Sequence, residues 1–136
     1  MKTSLYHLQV NIQPANLPFY RDLVSVVGWD TLYEAETILG AQAENGGSLW
    51  FVGEANDAPN DYDGRGVNHI GIGAHSQADV DAVAAHIQQL GIPALFETPR
   101  HRPEFATGPD QTYYQVMFES PDRVLFEVVY TGPKQD

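Results

Sequence analysis

The chain has 136 residues, of which 43% are apolar, enough to build one domain around a real hydrophobic core. Eighteen acidic against seven basic side chains give a formal charge of −11, which repels a nucleic-acid backbone; Arg100-His101-Arg102 is the one compact basic cluster and is too small to form a phosphate-binding stripe. The chain has no cysteine, so disulfide and thiolate chemistry are excluded; no apolar run approaches the roughly 20 residues needed to span a bilayer, MKTSLYHLQV lacks the apolar segment of a secretory signal, and a cytoplasmic protein is expected.

The first element is LYHLQVNI, residues 5–12. Leu8, Val10 and Ile12 fall on one parity and His7, Gln9 and Asn11 on the other, the period of a half-buried strand. PANLPFYRDLVSVVGW then predicts a helix. Asn16 is placed to cap it, Pro18 suits its first turn, Leu17, Tyr20, Val24 and Val27 recur at helical spacing, and Gly28 ends it. TLYEAETIL and GGSLWFVGE read as strands, with a turn at Gly46-Gly47. GEANDAPNDYDGRG, residues 53–66, is polar and rich in turn formers, and reads as a linker.

GVNHIGIGA starts a second series of elements. Ser76 followed by Asp79 is a capping-box arrangement, Val80, Val83, Ile87 and Leu90 follow at helical spacing, and Gly91 closes the helix. PALFET, TYYQVMFE and RVLFEVVY read as strands, and 100–111 as a long loop of the kind that often carries function. His69 repeats His7, and Gly91 repeats Gly28, at intervals that agree to one residue. Two copies at this period do not make a solenoid. They make a duplicated βαβββ unit, with modules at about 1–58 and 66–132 of a single domain.

Several residues carry chemistry. His7 alone reads as a solvated strand histidine, but His69 holds the equivalent place in the second copy, sharing a parity with Gly71 and Gly73, which leave space on that face. Glu127 stands in an otherwise apolar strand, where a carboxylate is paired, metal-bound or neutral unless the strand is an edge and turns it to solvent. Two histidines and one carboxylate form the ligand set of a facial site suited to Fe(II), Mn(II), Zn(II), Ni(II) or Co(II), with positions left open for substrate. One parity of 113–118, either Tyr113, Gln115 and Met117 or Tyr114, Val116 and Phe118, lines a cavity. Trp50, as core or pocket wall, and Val52 are further candidates, and Arg100 and His101, with Arg102, form either an exposed loop cluster or a group that closes over an anionic substrate. Phosphate-cradling glycine loops and a serine nucleophile elbow are absent from the sequence.

LYHLQV, VNHIGI and ESPDRVLFEVV, in that order and in duplicated modules, resemble the vicinal oxygen chelate superfamily: glyoxalase I, extradiol dioxygenases and bleomycin-resistance proteins. FYRDLVSVVGW resembles the first helix of that family and SPDRVLFEV its last turn and strand. The resemblance implies an α+β fold in which two βαβββ modules form a partly open barrel around a central cavity. It also implies that His7, His69 and Glu127 meet a divalent metal, and that the chain forms a homodimer. The implied activity is that of a metal-dependent enzyme acting on a small substrate with adjacent oxygens, a glyoxalase-like lyase or isomerase in preference to an extradiol dioxygenase. The competing implication is a metal-free small-molecule-binding protein. The fourth ligand common in glyoxalase I is missing, since Val52 falls opposite Glu127; Glu54, two residues on, takes its place if the strand continues. Gln9, Glu54 and Tyr113 are the candidate bases.

Overall fold

A computed structural model describes all residues, 1–136. The chain divides into two compact units, Met1–Pro59 and Asn60–Asp136.

In the first unit the alternation at the start of the chain becomes β1 (His7–Asn11), with His7, Gln9 and Asn11 exposed and Leu8 and Val10 half-buried. A 3₁₀ turn at Pro14–Asn16 runs directly into α1 (Leu17–Val26). Asn16 therefore has helical backbone angles and its side chain does not cap the helix as expected. Leu17, Phe19, Tyr20, Leu23 and Val24 form the buried stripe of α1, and Gly28 ends it at φ +74°. TLYEAETIL is two strands rather than one, β2 (Asp30–Glu34) and β3 (Ile38–Gln42), because a turn closed by Ala35 N–H on the Ile38 carbonyl (2.9 Å) reverses the chain. β4 (Ser48–Val52) completes a sheet of order β1-β4-β3-β2, in which β1 and β4 are parallel. Tyr20 of α1 stacks on Phe51 of β4 with ring centroids 4.4 Å apart, which joins helix to sheet through a fully buried aromatic pair.

The second unit repeats the plan: β5 (Ile70–Ala74), α2 (Gln77–Gln89), β6 (Arg100–His101), β7 (Gln111–Glu119) and β8 (Leu125–Pro133), with sheet order β5-β8-β7-β6 and β5 parallel to β8. Ser76 caps α2 by accepting the Asp79 N–H at 3.1 Å, Val80, Val83 and Ile87 are buried, and Gly91 stops the helix at φ +73°. The strand expected at PALFET is absent. Phe96 and Glu97 are left-handed (φ 57° and 62°) and Thr98 N–H turns back to the Leu95 carbonyl, so pairing begins only at Arg100, inside the segment read as loop. The end of the expected linker belongs to this unit: Tyr62 is buried with Met117 and Leu125. Both units are thus βαβββ modules in an α+β fold, and each four-stranded sheet is open rather than closed on itself. No helix is long and apolar enough to cross a membrane.

Candidate functional site

Strand register decides which side chains share a face, because neighbours across a sheet point the same way and successive residues point oppositely. In the first unit His7 pairs with Ser48, Gln9 with Trp50 and Asn11 with Val52, so His7, Gln9, Trp50 and Val52 lie on one face of their sheet. The Gln9 amide donates to Asn11 Oδ1 at 3.0 Å. Trp50 lies over Gly40, its Nε1–H donating to Ser48 Oγ at 3.1 Å. The continuation that would have carried Glu54 onto this face does not occur. β4 ends at Val52, and Glu54 N–H turns back to the Val52 carbonyl at 2.8 Å, leaving the Glu54 side chain exposed beyond the strand.

In the second unit Gly71 pairs with Glu127 and Glu127 with Met117; Gly73 pairs with Val129, Val129 with Gln115, and Gln115 with Arg100. This settles the parity left open by the sequence: Tyr113, Gln115 and Met117 share the face of Glu127, while Tyr114, Val116 and Phe118 face the other way. Met117 is buried in a cluster with Tyr62 and Leu125. Arg100 is on the Glu127 face, its Nη1 3.6 Å from Glu97 Oε2. His101 is not. It sits on the opposite face against Tyr114 (4.8 Å between ring centroids), with Nδ1 2.5 Å from Thr112 Oγ1, because adjacent strand residues cannot both point to one side.

Glu127 is only 6% exposed, yet its carboxyl oxygens are well supplied with donors. The Tyr113 hydroxyl donates to both carboxylate oxygens at 3.0 Å, and Gln115 Nε2 donates to Oε2. Burial, and then the bond to Glu127, push the Tyr113 phenol up to about 12. It therefore stays protonated and donates, which is a poor property for a base at neutral pH. Arg102 Nη1 in turn donates to Gln115 Oε1 at 2.8 Å.

His69 immediately precedes β5, and its Nε2 lies 3.7 Å from Glu127 Oε1. Its Nδ1 is 2.7 Å from Asn68 Oδ1, and Asn68 Nδ2 donates to the Tyr62 carbonyl at 2.8 Å. In the neutral ring this network assigns the proton to Nδ1 and leaves the Nε2 lone pair facing a carboxylate oxygen. An imidazole nitrogen and a carboxylate oxygen are donor types that suit a divalent cation. Metal–ligand bonds of about 2.1 Å from each donor span a 3.7 Å gap, so the pair fits a divalent ion. Gly71 leaves room for it beside Oε1. Neither unit by itself gathers three His, Cys, Asp or Glu side chains into a metal-binding group, so within the second unit the donor set is this pair.

The sequence did not single out Tyr62 or Asn68. Their signals were a lone tyrosine in a polar loop and an amide next to the candidate ligand.

No family model and no curated protein matches the chain. Solved structures do. A candidate glyoxalase from Bacillus halodurans superposes with a TM-score of 0.73 at 24% identity, covering 93% of this chain and 94% of that one. A glyoxalase/bleomycin resistance protein from Albidiferax ferrireducens gives 0.70 at 18% identity, over 92% and 97%. The fosfomycin resistance protein FosX from Listeria monocytogenes, solved with Mn(II) and sulfate, gives 0.66 at 17% identity, over 96% and 91%. These likenesses, together with the duplicated βαβββ order, give the chain the fold of the vicinal oxygen chelate superfamily.

Proposed function

We propose that this chain is a divalent-metal-dependent enzyme acting on a small substrate with adjacent oxygens, in the glyoxalase-like lyase or isomerase class rather than the ring-cleaving dioxygenases. The observation that carries the reading is the facing pair of acceptors, His69 Nε2 and Glu127 Oε1. His69 and Glu127 hold the cation, and the Mn(II) in FosX makes manganese the first ion to try. When bound, the ion supplies Lewis-acid polarisation of two neighbouring oxygens and a template for holding them. Fold alone does not choose among reactions.

The protein's own groups do the rest. Tyr113 and Gln115 donate to the Glu127 carboxyl oxygens and fix their direction. Arg100, on the same face and loosely paired with an exposed Glu97, is available to an anionic group on the substrate. Gln9, Trp50 and Val52 share one face of the first module's sheet, and a homodimer is the expected assembly.

The test is elemental analysis of protein purified without added metal, followed by turnover assays on vicinal dicarbonyl adducts and catechols for wild type, His69→Ala and Glu127→Gln. The expected result is a bound divalent ion and turnover in the wild type, with both lost in the variants. A metal-free sequestering protein would instead keep its ligand affinity in both variants, and that outcome would overturn the proposal.

A further inference from the structure

Each of the two donors just described leans on an amide side chain, and each amide leans on a group that can hydrogen-bond in only one sense. The Tyr62 carbonyl can only accept, so the Asn68 NH₂ must face it and Asn68 Oδ1 must face His69. The Arg102 guanidinium can only donate, so Gln115 Oε1 must face it and the Gln115 NH₂ must face Glu127. We propose that Asn68 and Gln115 are positioning residues for the metal site: Asn68 fixes the imidazole tautomer that bares Nε2, and Gln115 occupies Oε2 so that Glu127 offers the ion Oε1 alone. The inference rests on the metal-dependent reading above.

The consequences are directional. Glu127 Oε2 accepts from both Gln115 and Tyr113, whereas Oε1 accepts from Tyr113 only and is the oxygen turned toward His69. Glu127 would therefore offer a bound ion Oε1, with Oε2 already taken up by Gln115 and Tyr113. The outer ends of both relays are anchored within the second unit. Tyr62 is buried with Met117 and Leu125, its hydroxyl donates to Glu119 and the Arg123 guanidinium lies 5.5 Å from its ring centre, which holds the carbonyl used by Asn68. Arg102 is held by Glu104 and lies 4.9 Å from the Phe105 ring centre. Outer partners of this kind typically alter metal affinity by about 10- to 100-fold when removed.

The experiment is titration of the full-length protein with Mn(II), reading free Mn(II) by electron paramagnetic resonance, for wild type, His69→Ala, Asn68→Leu, Asn68→Asp and Gln115→Met. Asn68→Leu removes the acceptor for Nδ1–H and is expected to weaken Mn(II) binding by about 10- to 100-fold, and Gln115→Met by about 10-fold. Asn68→Asp keeps an acceptor for Nδ1–H but cannot donate to the Tyr62 carbonyl, and is expected to bind within a few-fold of wild type. A residue that merely tethered the loop would give the reverse, with Asn68→Asp as damaging as Asn68→Leu, and that result would overturn the assignment of Asn68. Wild-type affinity in Gln115→Met would overturn that of Gln115. If Asn68→Leu does not fold by circular dichroism, Asn68→Ala, which also lacks the acceptor, takes its place. Loss of binding in His69→Ala with no loss in Asn68→Leu defeats the positioning inference alone; absence of Mn(II) binding in wild type, or equal binding in His69→Ala, defeats the metal reading and this inference with it.

Discussion

Gly71 lies directly beside Glu127 in the parallel pairing of β5 with β8, and a Cβ on Gly71 would stand 3.3 Å from Glu127 Oε1. The carboxylate is held by Tyr113 and Gln115 and has little freedom to give way. Gly71→Ala is therefore expected to weaken Mn(II) binding several-fold. Gly73→Ala, where a Cβ meets nothing within 4 Å, should leave affinity unchanged and stabilise the strand by about 0.5–1 kcal/mol by restricting the unfolded chain. Metal titration and urea unfolding of the two variants side by side check both statements. Equal affinities would show that Glu127 Oε1 is not where the ion binds.

Gly40 answers to an aromatic ring instead. A Cβ there would fall 2.7 Å from Trp50 Cζ3, and the indole is tethered through Nε1–H to Ser48. Gly40→Ala must push the ring off the sheet, and a loss of about 1–3 kcal/mol is expected from overpacking. Pairing it with Trp50→Ala should make the two effects non-additive, since removing the indole also removes the clash that the added methyl creates. Denaturant unfolding of the two single variants and the double variant measures this.

Tyr114 supplies a prediction in pH. Its hydroxyl donates to Asp81 Oδ1 at 2.6 Å, tying β7 to α2, and burial together with that bond pushes the phenol up to about 12. A phenol titrating higher in the folded state than its ordinary value of 10 favours folding fully below pH 10. That contribution is lost as the pH rises through about 12. Unfolding midpoints followed across this alkaline window should fall, and Tyr114→Phe should flatten part of the slope. Tyr113, also raised to about 12, accounts for a further part, which the additional change Tyr113→Phe removes.

The repeat and the alternation in LYHLQVNI and RVLFEVVY were legible because burial imposes a period on local sequence, and a strand or helix writes that period wherever it packs on one side. The stops were legible too, since Gly28 and Gly91 adopt φ values that glycine alone takes without strain. PALFET failed because its composition favours a strand while left-handed Phe96 and Glu97 break one, and nothing in the six letters announces that backbone.

The sequence by itself determined the two βαβββ modules and their helices, because each of these follows from residue type and spacing along the chain. Only the tertiary structure decided that Tyr113 and Gln115 rather than Tyr114 serve Glu127, that His101 faces away from it, that Glu54 leaves the strand line, and that Tyr62 reaches back through Asn68 to His69. Those facts are matters of register between strands and of hydrogen-bond direction. Both are set by contacts between segments far apart in the chain, which local periodicity does not encode.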